Sequence, residues 1–190
     1  MTDLSHHFIY GACTDYLTGA SLVDTDDERY RQKLARLLVE EKGYDRAELT
    51  ARQTIETQFA GQFTVSRIDL VVSCQDRRFM VVRYGPGSLV TRERPAIAAA
   101  RVLEANYQMP LAVVTNGEDA ELLDTATGQV LGTGLAAIPS RAEAVALLPA
   151  LHFLPPLPDA RRERELRILN VFDVEVCCGD TCGLKAERES

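Results

Sequence analysis

Two apolar runs lying almost end to end constrain this chain most. Val65 to Cys74 and Arg78 to Tyr84 are separated only by Gln75-Asp76-Arg77, a polar turn short enough to fold them into a β-hairpin. Gly85-Pro86-Gly87 stops the second run. One acid, Asp69, opens the apolar part of the first strand, in Arg67-Ile68-Asp69-Leu70-Val71-Val72. The second strand, Phe79-Met80-Val81-Val82, ends in Arg83-Tyr84-Gly85.

The surrounding elements make an α/β pattern. Met1 to Thr25, with Gly11 and Gly19, reads as an irregular arm. Asp26 and Asp27 suit the positive end of a helix dipole. Tyr30, Leu34, Leu37, Leu38 and Glu41 follow at helical spacing, and Gly43 stands where a left-handed cap is needed. Leu49 to Phe59 is a strand broken at Gly61. Glu93 to Tyr107 is an alanine-rich helix that tolerates Pro95 only in its first turn. Leu111 to Thr115 is a buried strand of the kind a crossover helix feeds in parallel. A strand pair follows, Ala120 to Asp124 with Gln129 to Leu131, and Ser140-x-x-Glu143 is a capping box for a helix to about Leu148. Leu154-Pro155-Pro156-Leu157-Pro158 reads as a stiff linker, with a short charged helix from Asp159 to Asn170 and a cysteine-containing tail beyond it.

At 190 residues and 46% apolar, the chain holds one well-buried core and not two large domains. The expected division is an arm (1–25), a core domain (26–150) and a linker, helix and tail (151–190). No run of eighteen apolar residues is present, and the N-terminus lacks a basic-then-apolar leader, so the expected location is the cytoplasm, with no membrane association. The net charge of −7 disfavours indiscriminate nucleic-acid binding. Against it, Arg77, Arg78, Arg83, Arg92, Arg94 and Arg101 share a window with a single acid, Glu93. Lysine occurs only at Lys33, Lys42 and Lys185. The five cysteines are odd in number and do not suggest a disulfide framework. Cys177, Cys178 and Cys182 loosely approach zinc-ligand spacing but need Cys13, His6 or His7 to complete a set, so a reduced tail is the simpler reading.

Several segments together resemble the N-terminal nuclease domain of type I restriction enzyme R subunits, a PD-(D/E)XK fold. They are Glu28-Arg29-Tyr30-Arg31-Gln32 through Leu37-Leu38-Val39-Glu40-Glu41-Lys42-Gly43-Tyr44, then Ser66 to Val72, then Met109 to Gly117, over roughly residues 15 to 145. The resemblance implies a restriction-endonuclease-like core, αβββαβ, with a mixed central sheet flanked by helices, and the element order read above agrees. It also implies a Mg-dependent endodeoxyribonuclease site, with Asp69 matching the metal-binding aspartate. The departures fall at the functional positions. Arg83 stands for the metal-binding glutamate and Gly85 for the catalytic lysine. The Gln-x-x-x-Tyr signature of the following helix would fall near Ala99 and Leu103 and is absent.

Such a nuclease needs carboxylates to hold a divalent cation that activates water and stabilises phosphorane charge. With Arg83 in a ligand position, the expectation is an Asp69–Arg83 ion pair across neighbouring strands and no catalysis. Relocated ligands would have to come from Glu28, Glu93 or Glu104, with Glu28 on the first helix best placed. The arginine window offers bidentate phosphate contacts and hence retained DNA or phosphate binding. The competing reading is a protein-interaction or self-assembly module with a filled cleft. An active nuclease with relocated ligands, and Mg as its cofactor, comes third.

Overall fold

The computed structural model describes residues 9–177. Within the segment expected to be irregular, an antiparallel hairpin forms from β1 (Ile9–Thr14) and β2 (Ser21–Thr25). The glycines that read as breaks are its working parts. Gly11, at φ 122°, sits at a register shift, and Gly19, at φ 76°, turns the chain back. Thr25 then caps α1 (Asp26–Arg36), its hydroxyl accepting from the Glu28 N–H at 3.2 Å. The helix widens into a π-type turn over Leu37–Glu41 and stops before Gly43, whose φ is 78°.

A six-stranded sheet follows in simple order: β3 (Leu49–Phe59), β4 (Gln62–Cys74), β5 (Arg77–Tyr84), β6 (Leu111–Thr115), β7 (Ala120–Asp124) and β8 (Val130–Thr133). Neighbours are antiparallel except β5 and β6, which run parallel and are joined by α2 (Val90–Val102). The β4–β5 turn has positive φ at Gln75 and Asp76, as a two-residue hairpin of the primed type requires. The fold is α/β, a mixed sheet flanked by helices, and the order α1-β3-β4-β5-α2-β6 is that of a restriction-endonuclease-like core. Helix α2 starts earlier than expected, so Pro95 lies in its second turn and removes one backbone bond there. Its buried alanines, Ala96 and Ala98 to Ala100, let it lie close on the sheet.

Helices cover both faces. On one side α1, Tyr44 and α3 (Arg141–Leu147, capped by the expected Ser140–Glu143 box) pack on Leu70, Val72, Met80 and Val82. On the other, α2 and α4 (Asp159–Cys177) pack on Ile68, Val71 and Val81. Helix α4 corrects the expected end of the short helix at Asn170. It runs past Asn170, buries Leu169, and donates from the Asn170 amide to the Thr57 hydroxyl at 3.0 Å. Among the described residues no helix is long and apolar enough to cross a membrane.

One irregularity positions the site. In β3, Leu49 and Ala51 face the α1 layer while Ile55 faces the α2–α4 layer; in β4, Leu70 and Val72 face α1 while Ile68 faces α4. Strict alternation would keep each set on one face. Both strands therefore switch faces at the same level, between Ala51 and Gln53 and between Ile68 and Leu70. The ladder pairs 51 with 70 and 53 with 68 and skips Arg52 and Asp69. Arg52 absorbs the switch with a left-handed φ of 57°, an uncommon conformation for a side chain with a Cβ.

Candidate functional site

The face switch aims Asp69 at the first turns of α1. There Arg31 grips one of its oxygens through Nε at 3.2 Å and Nη2 at 2.8 Å, while the backbone N–H of Tyr84 donates to the other at 2.7 Å. Arg31 also holds Glu28 through Nη1. Glu28 in turn accepts from Arg52 at 2.6 Å and from Gln32 at 2.7 Å, and Arg52 reaches Asp15 at 3.2 Å. Three buried carboxylates, Asp15, Glu28 and Asp69, are thus interleaved with two guanidiniums. Burial pushes the Asp15 and Glu28 carboxyls up, but Arg52, Gln32 and their other donors outweigh it and hold both below the usual range. For Asp69, burial wins over Arg31 and the Tyr84 N–H, and its carboxyl is raised.

The expected Asp69–Arg83 ion pair is not what forms. Asp69 turns toward α1, whereas Arg83 continues the odd-numbered face of β5 with Val81 and meets α4. There its Nη2 donates to Asp173 at 2.9 Å, under the ring of Phe172. The register brings residues 69 and 83 to neighbouring positions, but the face switch at Asp69 sends the two side chains into opposite layers. Gly85, expected from the resemblance to stand for the catalytic lysine, is overlaid by Arg92. A Cβ there would fall 1.9 Å from the Arg92 Nη1, so the arginine from α2 occupies the space of the missing side chain. Burial and the charge of Arg83 both lower the pKa of Arg92.

The six arginines of the basic window do not converge. Arg77 stacks on Phe153 and Arg78 pairs with Glu104 at 3.0 Å, at the start of β5. Arg83 and Arg92 lie at its other end. Arg94 and Arg101 leave α2 toward α4, where Glu165 binds both, at 2.7 and 2.8 Å. Of the candidate relocated ligands, only Glu28 is beside Asp69. Glu104 is held at the far end of β5, and Glu93 neighbours Glu121, helping to raise its carboxyl pKa. Cys177 closes α4, and Cys178 and Cys182 lie outside the described residues, as do His6 and His7. Cys13 is half-buried and Cys74 buried, both as thiols.

The residues present do not fit the divalent ion that the fold implies. Asp69 and Glu28 are the right chemistry, but each already carries the Arg31 guanidinium. An ion ~4 Å from that guanidinium would be repelled by ~8 kcal/mol at an effective dielectric near 20. Among the described residues no group of three or more His, Cys, Asp or Glu is arranged to hold a metal. Sequence reasoning missed Asp15, Arg31, Arg52 and Asp173. The Glu28–Arg31 spacing of three on one helix was the available sign of the first pair; nothing local announces the others.

The Thr115-Asn116-Gly117 turn has a role here too. Gly117, at φ 89°, lies so close to Tyr30 that a Cβ would meet its ring at 3.0 Å. The absent side chain lets Tyr30 of α1 stack on Tyr84 of β5 with centroids 4.4 Å apart, clamping the helix that carries Arg31 to the strand end beside Asp69.

Comparison with curated proteins and with solved structures returns no match. A family model does match, over residues 26–139, which is well over half of the chain and contains α1, the sheet and α2. With the sheet order, the aspartate at its centre and the covering helices already in place, the chain belongs to the family described as type I restriction enzyme R protein N terminus.

Proposed function

We propose that this chain is a hydrolytically silent nuclease-fold protein that retains affinity for phosphate groups of nucleic acid. The carrying observation is the Arg31 guanidinium on Asp69 and Glu28, which puts a fixed positive charge where the family's chemistry calls for a metal ion. Arg83 and Gly85 at the glutamate and lysine positions support the same reading. Binding by arginine is supported by Arg94 and Arg101, which reach the surface between α2 and α4. We place the protein in the cytoplasm. The test incubates purified protein with single- and double-stranded DNA in Mg²⁺ or Mn²⁺. No cleavage is expected, and metal-dependent cleavage abolished by Asp69→Ala overturns the proposal.

One observation favours the alternative of a protein-interaction module. Phe172 and Asp173 of α4 lie against Arg83 and cover the face of the sheet on which that residue stands. Under that reading no nucleic-acid binding is seen at any salt concentration.

A further inference from the structure

Of the four arginines that end up together, Arg94 and Arg101 belong to the basic window in the sequence, whereas Arg161 and Arg164 lie outside it. A groove of about 500 Å³ runs between α2, α4 and the proline-rich segment before α4. Arg94 and Arg101 form one wall, Arg161 and Arg164 the other. Glu165 is the only carboxylate among the lining residues, and it is shared between Arg94 and Arg101. Those two arginines overcome burial and hold Glu165 below the usual carboxylate range. Its single negative charge is therefore spent twice, and the groove keeps an excess of positive charge on a protein of net charge −7.

Arg161 and Arg164 are exposed, and among the described residues neither guanidinium has an ion-pair partner. They stand three residues apart on one helix, about 4.5 Å along its axis, and so present two forks to the same side. Leu154, Leu157 and Ile168 supply an apolar floor. Charged walls over an apolar floor suit a ligand with an anionic edge and a planar or apolar body, and the volume lies in the range of small-ligand sites. Guanidinium forks match phosphate oxygens bidentately.

We propose that this groove binds the phosphates of nucleotides, with the sugar or base against the leucine and isoleucine floor. This rests on the phosphate-binding part of the reading above and assigns it to a site away from Asp69. Arg161 and Arg164 grip the phosphates. Arg94 and Arg101, pinned by Glu165, fix the opposite wall.

The experiment uses the full chain and a short fluorescent oligothymidylate strand, with anisotropy read over a salt series. Competition by AMP and by pyrophosphate distinguishes a free nucleotide from a strand and from phosphate alone. R161E/R164E is expected to weaken strand binding at least tenfold. It should also flatten the dependence of log Kd on log salt by ~0.7 for each phosphate that the variant no longer neutralises. R36E/R67E makes the same charge change at exposed positions elsewhere and is expected to weaken binding less than about threefold. Equal weakening by both pairs, or none by R161E/R164E while the wild type binds, overturns the groove and leaves the broader reading standing. A wild type that binds neither strand nor AMP overturns both.

Discussion

Replacing Arg31 by methionine tests the account of the site directly, because the change keeps most of the length of the side chain and removes its charge. Asp69 is 7% exposed and would lose two N–H donors, keeping only the Tyr84 N–H. Glu28 keeps Arg52 and Gln32, so the damage concentrates on Asp69. Breaking a buried ion pair from one side costs about 3–5 kcal/mol, and we expect about 3 because Asp69 can take a proton instead. Its pKa, already raised by burial, should rise further. The sign follows from linkage. A carboxyl with a raised folded pKa favours the folded state at low pH, and this advantage is lost as pH climbs toward that pKa, at ~1.4 kcal/mol per unit. The loss should therefore be smaller at pH 5 than at pH 8. The chain has no tryptophan, so urea unfolding is best followed by far-ultraviolet circular dichroism. At this chain length each kcal/mol shifts Tm by roughly 2–4 °C. Asp69→Asn in the same background should restore part of the loss, a coupling of at least about 1 kcal/mol. A deficit under about 1 kcal/mol, equal at both pH values and additive with Asp69→Asn, would refute the claim that Arg31 neutralises a buried carboxylate.

Introducing the glutamate and lysine that the resemblance implies, as R83E/G85K, should not produce Mg²⁺-dependent DNA cleavage, because Arg31 still holds Asp69; cleavage by that double variant would show that the guanidinium is displaceable. Asp173→Ala should cost about 2 kcal/mol in urea unfolding, since Arg83 is largely buried and loses its charged partner. A loss below about 0.5 kcal/mol would mean that the end of α4 docks weakly. Acid titration followed by circular dichroism should show stability falling below about pH 4. The folded pKa values of Asp15, Glu28 and Glu165 are depressed, so the stability they contribute above their unfolded pKa is lost as pH falls through the folded ones. Asp15→Asn and Glu28→Gln together should blunt that fall; an unchanged profile would put the acid lability elsewhere.

The sheet was legible in the sequence because its signals are local. Apolar runs bounded by Gln75-Asp76-Arg77, Gly61 and Gly85-Pro86-Gly87 fix where strands stop, and the Ser140 capping box fixes a helix start within a turn of chain. The N-terminal hairpin was not legible. Gly11 and Gly19 mark breaks in a sequence whether the chain then wanders or pairs with itself, and nothing local announces that Asp15 between the strands is held by Gln32 and Arg52. Helix α4 was underestimated for a related reason. Its charged first turns conceal that Leu169, Asn170 and Asp173 point at the sheet. At the site, Asp69, Arg83 and Gly85 could be singled out from sequence, but their partners could not. The short turn at Gln75 to Arg77 sets Asp69 and Arg83 opposite each other on neighbouring strands, which suggests a pair. That inference fails at the one level where Arg52 adopts a left-handed backbone and both strands change sides. A face switch in paired strands leaves no mark in composition, since apolar residues flank it on either side. Its consequence is chemical all the same. It turns the aspartate away from the side chain of Arg83 and into the reach of Arg31 on α1, so a guanidinium and the Tyr84 N–H balance the buried acid.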